Sequence, residues 1–159
     1  MKHYYTEMRS PVGKLKLVSD DKSLVAVLWE NESPRRVPLP DLVKNPKHEI
    51  LIEAVKQLQE YFAGERKEFD LPLNPLGTPF QKEVWKALGK IPYGVTRSYG
   101  ELAKSIGNPN ASRAVGAANG KNPLSIIVPC HRVIGSNGKL TGFAGGLNAK
   151  EILLKSESH

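Results

Sequence analysis

Residues 98–119 read Ser-Tyr-Gly-Glu-Leu-Ala-Lys-Ser-Ile-Gly-Asn-Pro-Asn-Ala-Ser-Arg-Ala-Val-Gly-Ala-Ala-Asn, and this stretch decides the fold of the second half of the chain. Ser98 and Glu101 have the spacing of a capping box, which predicts a helix continuing to Ile106. Residues 107–110 break that helix, and the small residues that follow favour a second one. Two short helices joined by a tight turn are typical of a DNA-binding helix-turn-helix.

The second of these helices offers few groups that could read a base sequence. Base edges are normally read by long polar side chains, and Arg113 is accompanied only by the shorter Ser112 and Asn119. Small side chains let a backbone lie close to nucleic acid, but they also allow close packing against the core of the same domain. Both interpretations are open, and recognition of one particular base sequence is disfavoured.

Another helix is predicted just before this motif. Thr78 and Gln81 form a second capping-box pattern, with Pro79 at the first helical position. Its apolar face comprises Phe80, Val84, Ala87 and Leu88. The preceding residues, 71–77, contain two prolines and a glycine, so we place a domain boundary there, between residues 1–76 and 77–159.

Residues 1–76 have the pattern of a small antiparallel sheet followed by a helix. Strands are predicted at residues 4–9, 14–17 and 24–28. Asn45 followed by Pro46 indicates a helix N-cap and a first-turn proline, and Gly64 is a plausible helix end. Apolar residues recur at helical spacing between them: Ile50, Leu51, Ala54, Val55, Leu58 and Phe62. The expected class is α+β, with a sheet-and-helix support domain before a mostly helical one.

Charge is divided unevenly between these two parts. Residues 1–76 contain 12 Lys and Arg and 12 Asp and Glu, whereas residues 77–159 contain 11 and 4. The whole net charge of +7 therefore lies in the second part. This favours a polyanionic partner such as nucleic acid, although a solvated basic face would show the same excess.

The composition also bears on the compartment. The chain has one cysteine in 159 residues, no N-terminal apolar signal segment and no run of about 18 apolar residues. We therefore expect a cytoplasmic protein that does not span a membrane.

The single cysteine lies in Ile126-Ile127-Val128-Pro129-Cys130-His131-Arg132-Val133. A lone thiol cannot form a disulfide within the chain, and as a nucleophile it needs a base because free cysteine has a pKa of about 8.5. Neighbouring side chains of an extended segment point to opposite faces, so His131 requires a bridging water or a sharp turn to act on Cys130. Glu151 and Glu157, the carboxylates that follow, are candidates to orient the imidazole.

Three other interpretations of this pair are open. Cys130 could be a small buried hydrophobe beside a hydrogen-bonded histidine, or the nucleophile of a cysteine protease, although the sequence suggests no peptide cleft. Zinc binding is disfavoured because one cysteine and four scattered histidines have no ligand spacing. Those histidines are His3, His48, His131 and His159.

The segment Pro129-Cys130-His131-Arg132-Val133, with Tyr99 and Arg113-Ala114-Val115-Gly116 before it and Gly145-Gly146 after it, resembles the O6-alkylguanine-DNA alkyltransferases, also called methylated-DNA–protein-cysteine methyltransferases. The resemblance is continuous over about residues 78–157 and only architectural before that, where the family has an RNase H-like domain. It implies irreversible transfer of an alkyl group from O6-alkylguanine in double-stranded DNA, chiefly O6-methylguanine, with O4-methylthymine as a further candidate. It implies no cofactor, no obligate protein partner and a monomer.

The resemblance also implies catalytic roles. Cys130 would accept the alkyl group once and keep it, and His131 would take the thiol proton through a water while Glu157 holds its other ring nitrogen. Asn122 matches the asparagine that steadies the turn around the thiol. Tyr99 matches a tyrosine that crowds the 3′ phosphate of the target nucleotide and donates a proton toward the leaving guanine.

Further residues match the family's DNA contacts. Arg113 matches the arginine that fills the gap left when the target base is flipped out of the duplex. The minor-groove face would comprise Ala111, Ser112 and Ala114. Phosphate-backbone contacts would come from Gly100, Asn108 and Ser136.

Two expected pocket residues depart from familiar members. Phe143 stands where some have tyrosine, and Ala144 stands where some have serine, although its backbone N–H remains able to meet the guanine oxygen. Val133 would line the same pocket. With these two changes, transfer of a methyl group is still expected, whereas transfer of large alkyl groups is in doubt. Some relatives carry a zinc site whose cysteines are missing here, so no metal is expected. The rival readings are a lesion-recognition module, which has another residue in place of Cys130, and a transcription factor.

Overall fold

The computed structural model describes residues 2–39, 41–138 and 142–158. The first part of the chain forms a four-stranded sheet with strand order β3-β2-β1-β4. Its strands are β1 (His3–Ser10), β2 (Gly13–Ser19), β3 (Leu24–Trp29) and β4 (Leu42–Lys44). The first three are antiparallel, whereas β4 pairs with β1 in parallel.

The strand β3 joins the two parts of the chain. Residues Leu24 and Val27 are fully buried, and β3 forms backbone bridges from Leu24 to Leu73 and from Val27 to Leu124. The β3 edge of this sheet is thus covered by the connecting segment at Leu73 and by the segment at Leu124, which leads into Cys130. An uncovered edge would leave N–H and C=O groups without partners, so this pairing fixes the second part against the sheet.

The helix α1 (Glu49–Phe62) packs on the sheet, but its predicted start is wrong. Its N-cap is His48, whose Nδ1 accepts from the backbone N–H of Ile50 at 3.2 Å, and not Asn45. The backbone N–H of Asn45 instead donates to the carbonyl of Tyr5, continuing the β1–β4 pairing. The predicted end is confirmed, because Gly64 follows the helix at a φ of +78°.

The described residues of the second part include the helices α2 (Pro79–Leu88), α3 (Tyr99–Ser105), α4 (Ser112–Gly120) and α5 (Leu147–Ser156). Two short strands, β5 (Arg97–Ser98) and β6 (Val133–Ile134), pair in parallel. The predicted capping boxes at Thr78 and Ser98 are both present. The turn between α3 and α4 passes through Gly107 at a φ of +77°. The expected α+β class and the helix pair are therefore confirmed.

One connected core runs through both parts of the chain, from β2 and β3 to the segment around Cys130. Trp85 of α2 ties this core to α4, since its indole N–H donates to the carbonyl of Ala118 at 2.8 Å. Within the described residues, no helix is both long enough and apolar enough to cross a membrane.

Candidate active site

Cys130 begins a 3₁₀ turn, Cys130–Arg132, immediately after Pro129. The turn is closed by a bond from the N–H of Arg132 to the carbonyl of Pro129 at 3.0 Å. All three of its side chains are buried. The backbone is therefore not extended at the thiol, and the sharp turn that the sequence allowed is the arrangement found.

Asn122 supports the segment that leads into this turn. Its fully buried side chain donates from Nδ2 to the carbonyl of Val128 at 2.9 Å and accepts from the N–H of Leu124 at 3.0 Å. Between these two bonds, Ile126 has a φ of +74°, in the left-handed region that β-branched residues rarely adopt. Such a conformation costs roughly 1–3 kcal/mol and persists only where the surroundings impose it. The bonds from Asn122 are part of that restraint.

Glu157 lies at the end of α5 and receives hydrogen bonds from three side chains. Its Oε2 lies 2.7 Å from Nε2 of His131 and accepts the phenol O–H of Tyr61 at 2.5 Å. Arg132 donates through Nε to Oε1 at 2.7 Å and through Nη2 to Oε2 at 3.1 Å. Of the two carboxylates that follow Cys130, Glu157 therefore contacts the imidazole, whereas Glu151 is exposed.

These contacts fix the ionisation of the group. Burial opposes the charged form of Glu157, but the bonds from His131 and Arg132 outweigh it and lower its pKa to about 2. Burial lowers the pKa of His131 below 6.5, against the opposing effect of Glu157. At neutral pH a neutral imidazole thus faces a carboxylate, which can only accept, so Nε2 carries the proton and Nδ1 has a free lone pair. Among the described protein atoms, Nδ1 has no hydrogen-bond partner.

The thiol itself is held in the protonated form. Burial raises the pKa of Cys130 above its ordinary value, and the opposing effects of Asn122, Arg36 and Lys150 are smaller. A buried thiol of this kind reacts only if its proton is removed as the new bond forms. The site therefore needs a base, and the lone pair of His131 Nδ1 has the required property.

Two cations near the thiol were missed from the sequence. Lys150 of α5 is fully buried and donates from Nζ to the carbonyl of Val133 at 2.6 Å. Arg36 reaches across from the first part of the chain and donates to the carbonyls of Gly120 and Asn122 at 3.0 and 2.9 Å. Lys150 had a detectable signal, because it lies at helical spacing with Leu153 and Glu157, whereas nothing local identifies Arg36.

The residues predicted to line a pocket lie against Trp29 of β3. The rings of Trp29 and Phe143 meet edge to face with centroids 5.4 Å apart, and the Trp29 indole N–H donates to Ser125 at 3.0 Å. A Cβ on Gly145 would lie 2.6 Å from the Trp29 ring, so only glycine permits this approach. Phe143 and Ala144 are half-buried, whereas Val133 is fully buried. The first part of the chain thus holds the segment that carries Phe143.

The predicted DNA-contact residues lie on the helix pair and the nearby loops. On α4, Arg113 and Ala114 are exposed, whereas Ala111 and Ser112 are half-buried at its start. The ring of Tyr99 lies over Gly116, whose added Cβ would lie 3.7 Å from it. Exposed residues also occupy the three predicted phosphate-contact positions: Gly100, Asn108 and Ser136. The packing interpretation of the small-residue helix is confirmed for one face, which buries Val115, Ala118 and Asn119, while contact of its exposed face with nucleic acid stays a prediction.

The histidines that the sequence left unassigned are scattered in the structure. No group of three or more His, Cys, Asp or Glu is placed to hold a metal ion within residues 2–39, 41–138 and 142–158. His48 caps α1 and stacks on Tyr4, with ring centroids 4.9 Å apart. His159 lies outside the described residues.

Comparison with known families accounts for almost the whole chain. The family described as "6-O-methylguanine DNA methyltransferase, ribonuclease-like domain" matches residues 3–75, and the one described as "6-O-methylguanine DNA methyltransferase, DNA binding domain" matches residues 79–159. A sheet bearing a helix, joined to a helix-turn-helix with a buried thiol, is thus the architecture of one known class. The chain belongs to the 6-O-methylguanine DNA methyltransferase family, so the resemblance noted in the sequence is confirmed.

Individual relatives match this chain over more than nine tenths of their length. The methylated-DNA–protein-cysteine methyltransferase of Methanosarcina acetivorans is 56% identical over 155 residues, covering 97% of each chain. The constitutive enzyme of that name from Bacillus subtilis is 48% identical over 159 residues, covering 98% of this chain and 95% of its own. The crystal structure of Mycobacterium tuberculosis OGT in complex with DNA superposes with a TM-score of 0.91 at 50% identity, covering 98% and 92%.

Proposed function

We propose that this protein repairs O6-alkylguanine in double-stranded DNA by moving the alkyl group onto Cys130, once per molecule. Its family and its full-length relatives are methyltransferases of this kind. The observation that carries the assignment to Cys130 is the buried group of thiol, imidazole and carboxylate, in which His131 Nε2 is bound by Glu157 and Nδ1 retains its lone pair. O6-methylguanine is the principal expected lesion, and O4-methylthymine is a further candidate.

The transfer makes one bond to sulfur and breaks one bond to oxygen. The sulfur of Cys130 attacks the alkyl carbon, forming an S–C bond while the C–O6 bond breaks and its electron pair remains on guanine. The thiol proton passes to Nδ1 of His131 through a bridging water, and the imidazolium is stabilised by the carboxylate of Glu157. Tyr99 supplies a proton toward the leaving guanine, and its phenolate is reprotonated through water as the imidazolium of His131 gives up the former thiol proton, so both side chains return to their neutral forms. The thioether is not hydrolysed, so the protein is consumed.

Reaching the guanine oxygen requires the base to leave the duplex, at a cost of a few kcal/mol in stacking and pairing. Arg113 would occupy the vacated position, and its exposure near the start of α4 supports this role. The half-buried start of α4, at Ala111 and Ser112, presents small side chains that suit a minor groove, together with Ala114. Binding should be driven by phosphate contacts and by the positive charge of residues 77–159, so it weakens as salt rises.

The flipped base would lie against the Phe143 ring, beside Val133, with the backbone N–H of Ala144 meeting its oxygen. Because Phe143 is fixed edge-on against Trp29, this wall of the pocket is held in place from the sheet. We infer that residues 1–76 act as a support for the reactive part, residues 77–159. The protein would act as a monomer without a cofactor, in the cytoplasm, where a reduced single thiol persists.

The test is the fate of the lesion in a duplex containing one O6-methylguanine. Mixed with limiting protein, the duplex should lose one O6-methyl group per protein molecule, leave intact guanine in the strand, and then stop. Binding to the lesion without loss of the methyl group would contradict the proposal and identify a lesion-recognition module. Tight binding to one undamaged sequence would instead indicate a transcription factor.

A further inference from the structure

Tyr61 reaches the candidate proton relay from the other part of the chain. It lies near the end of α1, is 4% exposed, and donates its phenol O–H to Glu157 Oε2 at 2.5 Å across 96 positions of sequence. The oxygen that it binds is the one that lies 2.7 Å from His131 Nε2. None of the roles implied by the sequence uses this tyrosine.

The ring of Tyr61 is fixed on several sides. Phe62 and Phe69 lie against it with centroids 5.3 and 5.5 Å away, and Tyr93 approaches edge-on at 6.3 Å. A side chain packed in this way has one position for its hydroxyl. A hydrogen bond from a fixed donor restricts the carboxylate more than a bond from a mobile one, because less motion remains to the pair.

We propose that Tyr61 is a positioning residue for alkyl transfer, which holds Glu157 Oε2 on the imidazole of His131 and takes up part of the carboxylate's charge. The inference rests on the function proposed above and adds a residue of the first part of the chain to its machinery. The hydroxyl of Tyr61 donates to Glu157, so it acts on the imidazole of His131 through that carboxylate.

The direction of its effect follows from the charges around the group. Arg132 and Tyr61 donate to Glu157, Lys150 acts on His131 from α5, and Tyr93 lies against Arg132, 5.7 Å from the guanidinium carbon. Removing the phenol leaves more negative charge on Oε2, which favours the protonated imidazole and raises the pKa of His131. A protonated imidazole cannot accept the thiol proton, so transfer should fail at a higher pH than in the wild type.

Tyr93 provides a matched control. It belongs to the same aromatic cluster, but its hydroxyl donates to the carbonyl of Ser156 at 3.2 Å at an exposed position and does not contact Glu157. Tyr93→Phe thus removes the same atom from the same cluster, keeps the ring that lies against Arg132 and leaves the hydrogen bonds to Glu157 in place. It reports the effect of the packing change alone.

The experiment measures single-turnover methyl transfer from an O6-methylguanine duplex against pH for wild type, Tyr61→Phe and Tyr93→Phe. Tyr61→Phe should be slower by about tenfold, since hydrogen bonds to charged groups are among the stronger ones. Its acidic limb should move to higher pH, and the His131 Nε2–H resonance should shift in nitrogen-15-labelled protein. Tyr93→Phe should match the wild type in all three, and duplex affinity should be the same throughout.

An unchanged rate and pH profile in Tyr61→Phe would overturn the inference while leaving the proposed function standing. A slower variant whose acidic limb and imidazole resonance are unmoved would also overturn it, because that pattern describes lost packing. Failure of the wild type to remove the methyl group would refute the proposed function and the inference together.

Discussion

The surroundings of Cys130 and the outer face of α4 differ most in their access to water. Around the thiol, His131, Arg132, Lys150 and Glu157 are all buried and each has a short hydrogen bond. On α4, Arg113 is exposed, and within the described residues its guanidinium forms no ion pair with a carboxylate. Buried charges hold one geometry and are costly to unpair, whereas exposed charges adapt and are screened by salt. The contrast suits fixed chemistry in one region and adaptable binding in the other.

The largest effect should follow from removal of the thiol. Cys130→Ala is expected to abolish methyl transfer, because no other thiol exists in the chain, while duplex affinity changes less than about threefold, within about 0.7 kcal/mol. Transfer is followed with a labelled methyl group and affinity by titration of a fluorescent duplex. Residual transfer in this variant would show that another residue accepts the methyl group. A parallel loss of duplex affinity would show that the surroundings of Cys130 also contribute to DNA binding.

The second largest effect should follow from neutralising the buried carboxylate of Glu157. Glu157→Gln leaves the guanidinium of Arg132 buried without its counter-charge, which should cost about 3 kcal/mol or more of unfolding free energy, and it removes the stabilisation of a protonated His131 during transfer. Urea unfolding and transfer rates measure the two losses. Glu151→Gln is the control, since Glu151 is an exposed residue of the same helix and its change should be nearly neutral.

The pH dependence sharpens this prediction. The pKa of Glu157 falls from 4.5 to about 2 on folding, so its stabilisation is fully present above about pH 4.5 and is lost as the pH falls toward 2. The lowered pKa of His131 acts in the same direction below 6.5, because the unfolded chain binds that proton more readily. The stability difference between wild type and Glu157→Gln should therefore be large at pH 7 and shrink below pH 4.5. A stability difference that does not change with pH would show that the contacts of Glu157 do not lower its pKa.

A smaller effect is expected on the open face. Arg113→Ala should slow transfer from duplex DNA by roughly thirtyfold, because about 2 kcal/mol of the cost of keeping the base out of the stack is no longer offset. Transfer from free O6-alkylguanine should be spared, because no base has to leave a duplex. The transfer rates of wild type and variant on the two substrates measure this difference. Lys86→Ala, which removes an exposed cation from α2, is the control for net charge. Equal losses on both substrates would contradict a role in base flipping.

The smallest effect concerns the segment that carries Phe143. Gly145→Ala would place a Cβ against the Trp29 ring and should displace that segment, costing about 1–3 kcal/mol of stability and slowing transfer of bulky alkyl groups more than methyl. Gly142→Ala is the matched control, because its Cβ would meet nothing within 4 Å. Thermal unfolding and transfer from O6-benzylguanine and O6-methylguanine duplexes provide the comparison. Identical behaviour of the two variants would show that Trp29 does not hold the segment.

The elements that the sequence predicted best are those specified by neighbours in the chain. The capping boxes at Thr78 and Ser98 need only residues three positions apart, and both are present. The cap at Asn45 was wrong because the backbone of that residue pairs with Tyr5, far away in sequence. The strand β4 was missed for the same reason, since three residues form it only by pairing with β1.

The candidate site follows the same rule. Cys130 and His131 could be proposed from the sequence because the chain has one thiol and this histidine adjoins it, whereas Glu151 and Glu157 were both open until the family resemblance selected Glu157. Tyr61, Arg36 and Trp29 could not, because each enters from the first part of the chain and contacts groups between 84 and 96 positions away. Tyr61 left one trace, in that it continues the buried face of α1 at helical spacing from Leu58.

We expect Cys130 to keep the alkyl group after transfer. The most direct measurement is the intact mass of the protein after incubation with a duplex containing one O6-methylguanine, followed by peptide mapping, beside an undamaged duplex. The account predicts a gain of one methyl group, confined to Cys130, saturating at one per molecule and absent from the control. Loss of the lesion with an unchanged protein mass, or a methyl group on another residue, would contradict it.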